Sequence, residues 1–406
     1  MKNLSLILFA ICILFSSSVT AQDLMLYQQP KEYEMPPKLI PTVRKYWVSL
    51  PKDYDKSTVR YPIVFVFDGD EAYMLNLTLN TVDQLTQFSA MPQCIVVGLI
   101  QRNRGLDFAP LYVMKDHPHV DKINADKFLK FLKTELLPEL EKNYRTQNFK
   151  VGIGHSLGGL FMAHSFTQEP DFFNGVIAAS PALELPRDST IFANLKNVLS
   201  SKLNRQTYFC WASGTGDINE YSFKKGSAAL GKLLQETPNQ LFAYKYIDLP
   251  GKNHSLTPLF SVPEALQFVF KDWNPHLWAS AIAVSNSSPE TAMATREKNL
   301  KEIYAAEPES DAAKAFIFFK TGFVASREQK YSRAVSFFNA SIKLNPQAGV
   351  YRELANAYEN LKDYNAAISS LKTGIALLKK DEEMSKWWLE GYETDLKRVQ
   401  ALAISK

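Results

Sequence analysis

This chain of 406 residues has few cysteines, no large excess of charge of either sign and few long apolar runs. Three cysteines are too few for a disulfide framework, and no Cys-x-x-Cys motif or cysteine–histidine cluster indicates a zinc site, so we expect no metal. The 46 basic and 42 acidic residues leave a net charge of +4, which gives no reason to expect nucleic acid as a partner. No segment after the N-terminus approaches the ~20 apolar residues that a membrane span needs.

What is present is the composition of a globular protein, with 46% hydrophobic, 22% charged and 12% aromatic residues. This composition excludes disordered, collagen-like and coiled-coil chains. At roughly 150 residues per domain, the length predicts two or three domains, or one large α/β domain with an appendage. No pattern in the sequence requires a cofactor.

The first 21 residues have the pattern of an export signal. Lys2 supplies the positive charge, residues 4–15 form an apolar run broken only by Ser5, and Val19-Thr20-Ala21 offers small residues before a cleavage site. A run of 12 residues is too short for a transmembrane anchor. We therefore expect cleavage after Ala21 and export of the mature chain, either to a periplasm or to the medium.

Residues 22–280 have the sequence pattern of an α/β domain, in which short apolar runs alternate with amphipathic stretches. Strands that are apolar on both faces and separated by helices predict a mostly parallel sheet with helices on both faces. The predicted strands are Lys45–Leu50, Ile63–Asp68, Cys94–Ile100, Phe149–Gly154, Gly175–Ala179, Tyr208–Ser213 and Tyr244–Leu249. The predicted helices are Ala125–Tyr144, Leu157–Phe166, Tyr221–Leu234 and Pro263–Lys271.

The strand signal stops after a linker at residues 281–290, and residues 291–406 predict a smaller, all-α domain. Lys330-Tyr331-x-x-Ala334 recurs as Asp363-Tyr364-x-x-Ala367, a spacing of 33 residues. This repeat resembles the tetratricopeptide repeat, whose helix pairs form a concave surface suited to a protein or peptide partner. An ordinary helical bundle is the alternative.

The clearest chemical motif is Gly154-His155-Ser156-Leu157-Gly158-Gly159, between a predicted strand and a predicted helix. This context is typical of a nucleophile elbow, in which a sharp turn exposes the serine hydroxyl at a helix N-terminus. Gly152 and Gly154 do not begin a dinucleotide fingerprint, because Leu157 occupies the place of its third glycine. Ser156 is therefore the candidate nucleophile.

A serine nucleophile needs a base, and the base needs an orienting acid. Among six histidines, His254 is the candidate base because it follows the last predicted strand, whereas His155 lies inside the elbow and is expected to point away from the site. Asp217 and Glu220 both follow the preceding strand. We expect Asp217 to be the acid because it lies nearer the strand end, with Glu220 as the alternative. The order Ser156, Asp217, His254 is that of α/β hydrolases.

An oxyanion hole is predicted from two backbone amides. The strand Ile63–Asp68 runs into Gly69-Asp70, and glycine lets the backbone approach a substrate closely. The Asp70 amide can then join the Leu157 amide in facing the developing oxyanion.

Five segments together resemble the "putative esterase" family of α/β hydrolases, which includes enterochelin esterases and esterase D. They are residues 61–69 (YPIVFVFDG), 104–110 (RGLDFAP), 128–138 (FLKFLKTELLP), 154–159 (GHSLGG) and 251–255 (GKNHS). The resemblance covers residues 40–272 and implies a serine carboxylesterase with its triad at Ser156, Asp217 and His254. Many relatives carry an arginine in place of Leu106 and aromatic residues after Ser180-Pro181, so substrate recognition is not carried over.

These observations favour an exported serine esterase that hydrolyses a small carboxylic ester through an acyl-enzyme. Two alternatives remain open. The same triad could pass the acyl group to an acceptor other than water, as an acyltransferase does. The hydrolase domain could also be catalytically silent, with the helical repeats acting as an interaction module.

Overall fold

The computed structural model describes residues 27–101, 103–114, 119, 121, 124–184, 189–380 and 385–405. The expected signal segment lies outside these residues. Two compact units emerge, one formed by residues 27–88 and 92–269 and the other by residues 89–91 and 270–405. The division falls about ten residues before the expected end of the α/β domain at 280, so the helix Pro275–Ala283 belongs to the second unit.

The first unit is built on one eight-stranded sheet with the order β1-β2-β4-β3-β5-β6-β7-β8. The pairs β1–β2 and β2–β4 are antiparallel, and every other neighbouring pair is parallel. The mostly parallel sheet predicted from the sequence is confirmed. The strands are β1 (Lys31–Met35), β2 (Arg44–Ser49), β3 (Tyr61–Val66), β4 (Ile95–Leu99), β5 (Thr146–His155), β6 (Gly175–Ala179), β7 (Thr207–Gly214) and β8 (Phe242–Leu249).

Burial explains why most strands were visible in the sequence. Every residue of β3, β4, β6 and β7 is buried, so these strands read as continuous apolar runs. The seven predicted strands lie in their expected places, with ends shifted by at most three residues. The strand β1 was missed because its sequence, KEYEM, is polar and exposed at the edge of the sheet.

Helices cover the sheet. The sequence predicts a single helix over Ala125–Tyr144, but the structure has two shorter helices there, joined by a π turn at Leu132–Leu136. The regular helix is interrupted near Pro138, because proline lacks the N–H that a regular turn would use. The helices of this unit are α1 (Ala72–Gln87), α2 (Arg104–Phe108), α3 (Leu111–Met114), α4 (Ala125–Phe131), α5 (Leu137–Asn143), α6 (Leu157–Gln168), α7 (Thr190–Leu199), α8 (Ile218–Glu236) and α9 (Thr257–Val269), with 3₁₀ turns at Tyr54–Lys56 and His254–Leu256.

The two cysteines expected in the mature chain are both free and buried. Cys94 directly precedes β4 and Cys210 lies in β7, and three strands separate β4 from β7 in the sheet. Their predicted free state is confirmed.

The second unit is helical. The two repeated motifs take equivalent positions, because Tyr331 and Tyr364 each begin a helix and Ala334 and Ala367 are each fully buried. Gly322 permits close packing, since a Cβ there would lie 2.7 Å from the Phe338 ring. The helices are α10 (Pro275–Ala283), α11 (Pro289–Tyr304), α12 (Asp311–Arg327), α13 (Tyr331–Leu344), α14 (Ala348–Asn360), α15 (Tyr364–Leu378) and α16 (Ser385–Ile404).

Candidate active site

The candidate residues follow the carboxyl ends of parallel strands. In a parallel sheet these ends meet at one edge, which is where α/β proteins place their sites. The turn that contains Asp70 follows β3, Ser156 follows β5, Glu220 follows β7 and His254 follows β8. The topology therefore gathers at one edge residues that are up to 184 positions apart in the chain.

Ser156 has the backbone of a nucleophile elbow. Its φ of 59° and ψ of −116° are strained for a residue with a side chain. The turn is fixed by the Ser156 N–H, which donates to the Ala179 carbonyl at 2.9 Å. Its tightness requires glycine at 154, where a Cβ would lie 2.3 Å from the Gly158 oxygen. Ser156 leads directly into α6, so the Leu157 amide is among the first-turn amides that have no acceptor within the helix.

His254 is held against Glu220. The Nδ1 atom of His254 lies 2.7 Å from Oε1 of Glu220, and Glu220 is fully buried in the first turn of α8. The second carboxylate oxygen of Glu220 accepts the Gly214 N–H. Because a carboxylate only accepts hydrogen bonds, the proton of the neutral imidazole lies on Nδ1 and leaves Nε2 as an acceptor.

Asp217, which the sequence favours as the acid, does not form the bond to Nδ1 of His254. Its carboxylate caps α8 by accepting the Glu220 N–H at 2.9 Å, and it also accepts the backbone N–H of His254 at 2.7 Å. The His254 N–H thereby lowers the pKa of Asp217. Glu220, the alternative, lies against the His254 ring where the sequence predicts Asp217. The sequence contained a signal for this outcome, because Asp-x-x-Glu is a helix-capping pattern that commits the aspartate to the helix start.

Close approach of two loops makes the Glu220–His254 pair possible. A Cβ at position 214 would lie 2.1 Å from the Lys252 oxygen, so only glycine fits there. The Thr215 and Gly216 N–H groups both donate to that same Lys252 oxygen, at 3.1 and 2.8 Å. The Gly-Thr-Gly sequence at the end of β7 thus brings the loop of His254 against the start of α8.

The predicted oxyanion turn follows β3. Asp68 has a φ of 58°, the Glu71 N–H donates to the Asp68 carbonyl at 3.0 Å, and Asp70 is exposed at this turn. Gly69 is required by the neighbouring strand rather than by the space for a substrate, since a Cβ there would lie 2.6 Å from the Gly98 carbonyl carbon.

The RGLDFAP motif holds this turn and the elbow together. Arg104 forms two hydrogen bonds to the Asp68 carboxylate, at 2.7 and 3.0 Å, and donates to the His155 carbonyl at 2.9 Å. Burial raises the pKa of Asp68 to about 6, although the Arg104 guanidinium acts to lower it. Asp107 of the same motif pairs with the buried Arg44 on β2, at 2.6 and 2.8 Å. The motif is therefore explained by the support it gives to the site.

His155 does not point away from the site as expected. Its ring lies against the His254 ring, with centroids 4.3 Å apart and an interplanar angle of 35°. Its Nε2 atom lies 3.0 Å from the His254 carbonyl oxygen, and its Nδ1 atom lies 3.1 Å from the Tyr73 hydroxyl. No pattern in the sequence revealed these contacts, because they depend on how two loops meet in the folded chain.

Two further titratable residues of this unit have structural partners. The His164 ring bonds Asp126 at 2.7 Å and the Tyr112 hydroxyl at 3.3 Å. Asp248, which lies within β8, pairs with Lys224 at 3.5 Å on the surface. Within the part of the chain that the structure describes, no cluster of three or more His, Cys, Asp or Glu could hold a metal ion, and no helix is long and apolar enough to cross a membrane.

The described site thus contains a strained serine between a strand and a helix, and a histidine that binds a buried carboxylate. A family model described as "Putative esterase" matches residues 39–242, half of the chain. The chain belongs to this esterase family.

A named relative matches part of the chain. Ferri-bacillibactin esterase BesA of Bacillus subtilis (strain 168) is 29% identical over 157 residues, which are 38% of this chain and 54% of BesA. The chain thus spans about half the length of this curated relative.

Two solved structures show the same fold. A protein from Capnocytophaga ochracea DSM 7271, described as uncharacterised, has a TM-score of 0.63 at 15% identity and covers 92% of this chain and 100% of its own. An IroE-like serine hydrolase from Shewanella oneidensis has a TM-score of 0.58 at 19% identity, with 77% and 99% covered.

Proposed function

We propose that this protein is a serine carboxylic ester hydrolase that acts through an acyl-enzyme. Ser156 is the nucleophile, His254 is the general base and acid, and Glu220 orients His254. The observation that carries the proposal is the contact of 2.7 Å between the buried Glu220 carboxylate and Nδ1 of His254, at the sheet edge where the Ser156 elbow lies. Membership of the esterase family supports it.

The proton positions set the order of the chemical steps. Glu220 keeps the proton of His254 on Nδ1, so Nε2 accepts the proton of the Ser156 hydroxyl as its oxygen attacks the ester carbonyl. The amides of Leu157 and Asp70 donate to the oxyanion of the tetrahedral intermediate. His254 then gives its proton to the departing alcohol and leaves an acyl group on Ser156. A water molecule, activated in the same way, releases the acid.

Asp217 has a supporting role in this scheme. It binds the backbone N–H of His254 and caps the helix that carries Glu220. A single carboxylate therefore links the segment of the base to the segment of the acid, without touching the reacting atoms.

We propose a small carboxylic ester as the substrate. The relative BesA is named a ferri-bacillibactin esterase, so ferri-bacillibactin belongs in the substrate panel beside simple aliphatic and aryl esters. We further propose that residues 1–21 direct export to a periplasm or the medium. The helical unit is proposed as a tetratricopeptide-like module for a protein or peptide partner.

One assay separates hydrolysis from its two alternatives. The full chain is given a chromogenic short-chain ester, with and without an added alcohol, beside the Ser156→Ala variant. A hydrolase releases acid in both conditions and loses turnover on the order of 10⁴-fold or more in the variant. Transfer of most acyl groups to the alcohol would identify an acyltransferase. No release above the variant's level, with ferri-bacillibactin included among the esters, would identify a silent scaffold.

A further inference from the structure

His155 is the residue before the proposed nucleophile, yet its side chain is directed at the proposed base. It is buried, and its two ring nitrogens contact two different segments: Tyr73 in the first turn of α1 and the backbone of His254. Its own carbonyl accepts from Arg104. Residue 155 therefore links the oxyanion turn, the elbow and the loop of His254.

The hydrogen bonds define the protonation of the His155 ring. The His254 carbonyl can only accept, so Nε2 of His155 carries a proton and donates it. The Nδ1 atom of a neutral ring is then an acceptor for the Tyr73 hydroxyl. Burial, with a further contribution from the nearby His254, lowers the pKa of His155 to about 3. The ring consequently stays neutral, with its proton on Nε2, at any pH where an esterase of this kind works.

Four groups form hydrogen bonds with the main chain or the ring of His254, from different sides. Asp217 accepts its N–H, Glu220 binds its Nδ1 atom, and the carbonyl accepts from His155 at 3.0 Å and from the Thr257 hydroxyl at 2.9 Å. The His155 ring also lies against the His254 ring at 4.3 Å. Of these groups, His155 alone binds the carbonyl of His254 and also contacts its ring.

We propose that His155 is a positioning residue for the base: the hydrogen bond from its Nε2–H to the His254 carbonyl holds His254 at the orientation from which the Nε2 atom of His254 reaches Ser156. The inference rests on the proposed function. His155 touches no reacting atom, so its effect is on the fraction of molecules in which the base is correctly placed. A misplacement of about 1 Å can reduce turnover by about 10²-fold.

Two substitutions separate the hydrogen bond from the ring. His155→Phe keeps a flat ring against His254 but removes the donor. His155→Gln places an amide N–H near the position of Nε2 and keeps the donor. We expect kcat to fall by about 10- to 100-fold in the Phe variant, with KM within about twofold of the parent, and to stay within about threefold in the Gln variant.

His155→Asn provides a second comparison if the Phe variant does not fold. Its amide is shorter by one methylene and falls near the position of Nδ1, so it should lose activity as the Phe variant does, while Gln retains it. The matched control is His164→Gln, because His164 is also a buried histidine with a tyrosine on Nδ1 but contacts no proposed site residue. It should lower Tm without lowering kcat by more than about twofold.

A spectroscopic readout makes the inference independent of the substrate. The proton on Nδ1 of His254, bonded to the buried Glu220, should give a resolved downfield signal in the proton NMR spectrum, and Ser156→Ala should keep it. We expect the signal in the Gln variant and its loss or broadening by exchange in the Phe and Asn variants.

Absence of ester hydrolysis in the parent would overturn the proposed function, while this signal would still test the position of His254. A Phe or Asn variant with parental kcat and an unchanged signal would overturn the role of His155, as would equal losses in Gln and Phe.

Discussion

Two histidine–carboxylate pairs in the α/β unit have the same length and opposite exposure. His254–Glu220 and His164–Asp126 both have N···O distances of 2.7 Å. In the first pair the carboxylate is 0% exposed and the histidine side chain 17%, whereas in the second the histidine is 3% exposed and the carboxylate 38%. A base must present its ring to a substrate, and only the first arrangement allows that.

The two pairs also differ in how many ring nitrogens of the histidine are hydrogen-bonded. Both ring nitrogens of His164 are occupied, by Asp126 and by Tyr112. Within the described residues the His254 ring is hydrogen-bonded through Nδ1 alone. A contact between a histidine and a carboxylate is therefore not by itself a sign of catalysis, and the burial of the carboxylate together with a free Nε2 is the more informative combination.

The largest difference between the two pairs should appear on removal of the histidines. We expect His254→Ala to lower kcat on the order of 10⁴-fold, because it removes the proposed base that takes the serine proton. His164→Ala should lower Tm through the cavity it leaves, with little change in kcat per folded molecule. Initial rates at matched concentrations of folded protein, checked by circular dichroism, measure both. Similar losses in kcat would end the distinction between the pairs.

The second-largest difference between the two pairs should appear on replacement of their carboxylates. Glu220→Gln keeps the shape of the side chain but can offer a donor where the imidazole needs an acceptor, so we expect a loss in kcat of about 10²- to 10⁴-fold. Asp126→Asn, at an exposed position, should change kcat by less than about twofold. Steady-state kinetics on one ester gives the ratio, and a smaller effect at Glu220 than at Asp217 would move the acid to Asp217.

Asp217→Asn should have a smaller effect, because the aspartate binds main-chain groups only. We expect a loss in kcat of about tenfold or less and a stability cost of about 0.5 kcal/mol from the lost charge at the helix N-terminus, since asparagine caps a helix about as well as aspartate. The pKa of Asp217 is lowered in the folded state, so the carboxylate stabilises the fold above its ordinary pKa of about 3.9 and loses this contribution as the pH falls. The Tm difference between parent and variant should thus be present at pH 7 and shrink below about pH 4. A difference that grows on acidification would contradict the lowered pKa.

How far the sequence predicts this molecule depends on how local each signal is. The buried strands and the elbow around Ser156 are encoded in runs of fewer than ten residues, and they were found. The edge strand β1 has few apolar residues, so periodicity did not reveal it. The acid could not be chosen from nearness to the strand end, because Gly214 and Gly216 let the loop of His254 approach and leave Glu220 facing its ring. The role of His155 depends on the same meeting of loops.

The most direct test of the Ser156–His254–Glu220 site is the position and rate of covalent labelling by a fluorophosphonate. Peptide mass spectrometry of the labelled full chain should find one adduct per molecule, on the peptide that contains Ser156. Ser156→Ala should give none, and labelling of Glu220→Gln should be slower than that of Asp217→Asn. An adduct on another residue, or a Ser156→Ala protein that labels at the parental rate, would contradict the assignment of the nucleophile and with it the site.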